Sequence, residues 1–146
     1  MTAPPDGPRP PVRAPVERPA DVDTGFWLWL AALPLMTCGY VVNMLTAPEL
    51  SETALIYPIT ALTAIVVVGV VATFLMLMRA GYRWARTVLT GGGIAAVVNA
   101  VSGLGHADPR PAVAMVVAVT GIVGSVLIAA GIFLLHRSDA QAYFIR

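Results

Sequence analysis

The chain has no lysine, a single cysteine, and no acid, arginine or histidine clearly inside its long apolar runs. Each shortage excludes something. Lone Cys38 cannot form an intramolecular disulfide or a Cys-x-x-Cys redox pair, and its apolar neighbours predict a packed, inert thiol. Proton-coupled pumps need an ionisable group at membrane depth, and small multidrug transporters of this size depend on an embedded glutamate, so that class is disfavoured. A haem-binding membrane bundle needs histidines within its spans. Here His106 lies in a loop, and His136 sits at a helix end, where it complements the helix dipole. His106 and Asp108 make an H-x-D pair, but two ligands fall short of a specific metal site. There is no G-x-S-x-G, no H-E-x-x-H and no phosphate-binding glycine loop with a lysine. We expect no enzyme, no cofactor and no metal. A formal net charge of +1 gives no ground for a nucleic-acid partner.

What is abundant is apolar surface. Hydrophobic residues make up 58% of the 146 residues and charged ones 12%, against about 25% charged in ordinary soluble domains. A water-soluble fold of this length cannot hide that much, so lipid must be part of the solvent. All nine basic residues are arginine. With the wealth of Ala, Val, Gly and Pro, that usage suggests a GC-rich bacterial genome and a bacterial plasma membrane.

Residues 1–22 hold seven of the twelve prolines and three arginines. That composition cannot bury enough surface to order itself, so a disordered cytoplasmic tail is expected. Pro8-Arg9-Pro10-Pro11 fits a P-x-x-P pattern but reads as a solvated leader. The first apolar run starts too late and is too long for a cleaved signal peptide.

Four spans of about 20 residues or more, each long enough to cross about 30 Å of hydrocarbon, are expected at about 25–46, 55–78, 85–104 and 112–135. Phe26, Trp27 and Trp29 read as an aromatic anchor of the first, and Pro34 predicts a kink within it. Residues 47–54 form a short acidic loop. The third span is the weakest because Gly91, Gly92 and Gly93 fall near its middle. A continuous helix is expected, with a helix broken at the glycines and lining a cavity as the alternative. Gly91, Ala95, Asn99 and Gly103 in the third span, and Gly121, Ser125 and Ala129 in the fourth, read as small-residue stripes for close helix approach. The last residues, Tyr143 to Arg146, read as an interfacial anchor after a polar tail that starts at Arg137.

Arg79, Arg83 and Arg86, with Gly81, Tyr82 and Trp84 between them, form a polar hairpin between the second and third spans. In a four-span arrangement Arg9, Arg13, Arg18, Arg79, Arg83, Arg86, Arg137 and Arg146 fall on one side and Arg110 alone on the other. The positive-inside bias then puts both termini in the cytoplasm. The expected fold class is an all-α membrane protein, four transmembrane helices in an up-down-up-down bundle.

Two groups remain as candidate sites. Arg79, Arg83 and Arg86 set the topology and could also contact anionic lipid headgroups such as cardiolipin or phosphatidylinositol. Tyr40, Asn43, Tyr57, Asn99 and Ser102 lie at similar depth near the outer surface. They are expected to form an interhelical polar cluster that fixes packing, or a small vestibule.

Three short motifs carry a resemblance. They are Gly81-Tyr82-Arg83-Trp84-Ala85-Arg86-Thr87-Val88-Leu89, the start Phe26 to Leu30, and the tail Arg137 to Phe144. Through them, residues 20–146 resemble uncharacterised small four-span actinobacterial integral membrane proteins. The resemblance implies topology and origin and supplies no activity or site residue. The expected function is a non-enzymatic scaffold or accessory subunit with a membrane-protein partner or a homo-oligomer. The alternative is a small oligomeric transporter or channel using the outer polar cluster.

Overall fold

A computed structural model describes residues 19–47, 54–105 and 108–137. The tail up to residue 18, residues 48–53 of the acidic loop, His106 and the anchor expected at 143–146 lie outside the described residues. The described chain is all helix: α1 Ala20–Thr46, α2 Ile56–Arg79, α3 Arg83–Leu104 and α4 Pro111–Leu135. All four are long and apolar enough to cross a membrane.

The termini of the helices follow from local chemistry. α1 begins after Pro19 and carries Asp21 and Asp23 in its first turn, where the positive end of the helix dipole favours anions. It therefore starts five residues before the expected span and takes in residues 20–22, which composition had assigned to the tail. Pro34 lies inside α1, which continues through it. Pro58 stands in the first turn of α2 and Pro111 at the first position of α4, where a missing N–H removes no bond.

α2 ends in a Schellman turn. The Tyr82 N–H donates to the Leu77 carbonyl at 3.2 Å and the Gly81 N–H to the Met78 carbonyl at 2.9 Å. Gly81 has φ 90°, a left-handed conformation that a Cβ opposes. α3 runs unbroken through Gly91, Gly92 and Gly93. The continuous helix is the form observed, and of the three glycines only Gly93 is turned into the bundle.

The helices form a ring. Each touches its neighbours in sequence, and α1 closes the ring against α4 in the most extensive interface. The backbones of α1 and α3 stay apart across the diagonal, as do those of α2 and α4. The buried apolar residues are Val22, Phe26, Trp29 and Ala32 of α1, Leu75 and Met78 of α2, Ala85 and Leu89 of α3, and Ile128 and Leu135 of α4. They lie at the end of the bundle that carries the α2–α3 turn. Towards the other end, the buried side chains are the polar Thr60 and Thr120.

The α1–α4 interface is a seam of glycines set against larger side chains. A Cβ on Gly25 would stand 3.2 Å from Leu135 Cγ, one on Gly131 2.6 Å from Trp29 Cδ1, one on Gly124 2.9 Å from Met36 Cγ, and one on Gly39 2.5 Å from Thr120 Oγ1. Val22, Trp29 and Met36 recur every seven residues, as do Gly25, Ala32 and Gly39. On α4, Gly124 and Gly131 keep the same interval, and so do Gly121, Ile128 and Leu135. Seven-residue spacing keeps one seam facing its partner over several turns.

The expected stripes fare differently. Gly91, Ala95, Asn99 and Gly103 are all exposed, and a Cβ on Gly91 or Gly103 meets nothing within 4 Å. At about 100° per residue this set lies roughly half a turn round from Ala85, Leu89 and Gly93, the buried residues of α3, so it faces away from the bundle. The third-span glycine that packs is Gly93. Its Cβ would lie 2.6 Å from Trp29 Cη2 and 2.8 Å from Ile128 Cγ2. Trp29 thus spans the bundle from α1, one edge of its ring against Gly131 of α4 and its far end against Gly93 of α3. The aromatic anchor reduces to Trp27, which is exposed; Phe26 and Trp29 are core. Cys38 is also exposed rather than packed, because it lies off the glycine seam.

Candidate functional site

The arginine-rich end is held by a collar of charge. Arg79, the last residue of α2, reaches Asp23 of α1 at 3.4 Å, and its guanidinium carbon lies 4.8 Å from the centre of the Phe26 ring. Arg137, just beyond α4, reaches Asp21 at 3.4 Å. Arg86 of α3 donates to the Leu135 carbonyl at 3.2 Å, satisfying one of the terminal carbonyls that a helix end leaves over. Phe74 of α2 and Trp84 of α3 meet edge to face at 5.4 Å between ring centres. The first turn of α1, the last turns of α2 and α4 and the first turn of α3 are tied together at this end. Each ion pair is half exposed and contributes about 0–1 kcal/mol. Their combined effect is to fix which helix ends meet.

This geometry separates the three arginines expected to contact lipid headgroups. Arg79 is engaged with Asp23 and Phe26, and Arg86 is half buried against the end of α4. Arg83 is exposed. Sequence reading missed Asp21 and Asp23 as partners. The signal was present: two acids immediately before a span, on the same expected side as two helix-terminal arginines.

The far end has its own arginine. Arg110 donates through Nε and Nη2 to the Asp108 carboxylate, each at 2.9 Å, and its backbone N–H donates to the same carboxylate at 2.8 Å. Its guanidinium also donates to the Thr46 carbonyl. α1 has no basic residue in its last turn, so Arg110 supplies the cap from another helix. These hydrogen bonds hold the Asp108 carboxyl below its ordinary range and raise Arg110 above its own. Asp108, half of the expected H-x-D pair, is therefore a partner of arginine. Among the described residues, no three His, Cys, Asp or Glu side chains group closely enough to hold a metal ion.

The residues expected to form the outer polar cluster stand on three helices. Tyr40 is half buried on α1, while Asn43 of α1, Tyr57 of α2, and Asn99 and Ser102 of α3 are exposed. Asn43 and Asn99 belong to the diagonal pair whose backbones do not approach each other.

A groove of about 480 Å³ lies between α3 and α4 on the outside of the bundle. Ile94, Val97 and Val98 form its α3 wall. Ala129, Ile132 and Phe133 form its α4 wall, and His136 stands at its end. His136 Nδ1 lies 2.9 Å from the Ile132 carbonyl, so the imidazole folds back on its own helix. The groove therefore runs from the middle of the bundle to the arginine-rich end.

No family model, no curated protein and no solved structure matches the chain.

Proposed function

We propose that this chain is a four-span integral membrane protein of a bacterial plasma membrane, an up-down-up-down bundle with both termini and the α2–α3 turn in the cytoplasm. We place it with the small four-span actinobacterial proteins that its three motifs resemble. Its role in this reading is that of a non-enzymatic scaffold or accessory subunit that associates laterally with another membrane protein. Large apolar side chains on all four helices face outwards, among them Ile65 at 69% and Phe133 at 70% exposure. Such a surface is at home in hydrocarbon and a liability in water. The eight-to-one split of arginines supports the orientation.

The observation that carries lateral association is the outer face of α3. Ala95, Asn99 and Gly103 are exposed there, with open space above Gly91 and Gly103. Small residues let another helix backbone approach closely, and a partner satisfies an asparagine better than lipid does. Purification in mild detergent with native neighbours tests this reading. A stoichiometric partner lost on Asn99→Leu supports it. Recovery only as a homo-oligomer that passes ions or solutes in a liposome flux assay overturns it.

A further inference from the structure

The groove between α3 and α4 is separate from the outer face of α3 just described, and the residues described at its end include two arginines and a histidine. On α3, Arg83 lies 11 residues from Ile94, about three turns, which puts both on one face of the helix. Arg86 lies between them at the end of α4, bonded to the Leu135 carbonyl. His136 closes the groove. The acids described at this end of the bundle, Asp21 and Asp23, sit on α1 and are engaged by Arg137 and Arg79. The α3–α4 side therefore presents arginine and histidine at the level where a membrane places headgroups, above an apolar slot running towards the bilayer middle.

Charge decides the occupant. The walls of the slot are apolar and arginine stands at its end, the order in which an anionic phospholipid presents its acyl chain and its phosphate. Resting in the lipid, an acyl chain gains little from the walls alone, because lipid tails are as apolar as valine and leucine. Selection has to come from the headgroup.

We propose that this groove seats one acyl chain of an anionic phospholipid, with the headgroup phosphate held by Arg83, Arg86 and His136. The site rests on the reading of the bundle as membrane-embedded. It differs from a general attraction of Arg79, Arg83 and Arg86 for anionic lipid, because Arg79 is turned to Asp23 and Phe26 on the opposite side.

The full chain, reconstituted in phosphatidylcholine bilayers holding a minority of phosphatidylglycerol, provides the test. Lipid retained after gentle detergent extraction is counted by native mass spectrometry. The wild type should retain one phosphatidylglycerol per chain in preference to phosphatidylcholine. Arg83→Gln, at an exposed position, should weaken that preference about fivefold, as expected for one arginine near the headgroups. Ala129→Phe, which fills the slot and leaves every charge in place, should abolish retention while circular dichroism shows the helices intact. Arg110→Gln at the other end should change nothing. Phosphatidylglycerol retained equally by wild type and Arg83→Gln, or lost equally on Arg110→Gln, overturns the site. If the chain fails to float with the vesicles at all, the membrane reading itself falls. If it floats and shows no preference, only the lipid site falls.

Discussion

Gly93→Ala and Gly91→Ala, two substitutions within one helix, should move stability in opposite directions. Both replace a helical glycine, so both gain about 0.5–1 kcal/mol of helix propensity. At Gly91 the new methyl meets nothing within 4 Å, so that gain stands alone. At Gly93 it would lie 2.6 Å from Trp29 Cη2, 2.8 Å from Ile128 Cγ2 and 3.1 Å from Trp29 Cζ2. The indole cannot simply withdraw, because its other edge rests on Gly131, where a Cβ would be 2.6 Å from Cδ1. Overpacking of this kind costs about 1–3 kcal/mol. Propensity cancels between the two variants, so the gap between them is the overpacking cost itself, about 1–3 kcal/mol. Reversible unfolding in mixed micelles, followed by circular dichroism, measures it. Trp29→Phe, whose shorter ring vacates the space beside Gly93, should make Gly93→Ala less harmful than it is in the wild type, a coupling that a double-mutant cycle reads directly. Equal stability of the Gly91→Ala and Gly93→Ala variants, or strict additivity with Trp29→Phe, would refute the seating of Trp29 between the two glycines.

Other consequences follow from the two ends of the bundle. Gly81→Ala should cost about 1–2 kcal/mol, since φ 90° forces a Cβ into the left-handed region; no loss of stability would mean the Schellman turn does not close α2. Arg110→Ala should speed amide exchange in the last turn of α1 at neutral pH, because the Thr46 carbonyl loses its cap. The protection of those amides, corrected for the intrinsic exchange rate at each pH, should also fall in the wild type on acidification. The folded value of Asp108 is lowered, so its contribution is present above the ordinary carboxylate pKa and is lost as pH falls through the folded value. Arg110 is raised instead, so its contribution is complete through the neutral range and is lost only on strongly alkaline titration. Acid sensitivity that persists in Arg110→Ala would show the pair is not its source. Cys38 should resist a charged maleimide while the chain is in a bilayer and react once the chain is unfolded in water, because the thiolate is the nucleophile and hydrocarbon disfavours it. Prompt modification by the charged reagent would place α1 in water.

Much of this architecture is legible in the residues themselves. Span lengths, the turn at Gly81 and the helical entry at Pro111 follow from hydropathy and backbone chemistry that act locally. The continuity of α3 through three glycines was left open by sequence, because propensity alone disfavours it; Trp29 arriving at Gly93 supplies the packing that propensity omits. Which small residues face a neighbour was not legible from steps of four. Along the α1–α4 seam the interval is seven, seen in Gly25, Ala32 and Gly39 against Gly124 and Gly131. Phe26 and Trp29 have the composition of an interfacial anchor, yet both are buried, and Trp29 points inwards where Gly131 and Gly93 leave room. The candidate lipid arginines were identifiable by type and spacing, but their separation was not. Arg79 is diverted by Asp23 and Phe26, contacts made across sequence distances that no local pattern reports.

The account stands on the bundle lying across a membrane with its arginine-rich end inside. Tyr82→Cys, on a Cys38→Ser background, places a reporter thiol beside the α2–α3 turn. A membrane-impermeant maleimide should label it only after the cells are permeabilised. Labelling on intact cells would contradict the orientation.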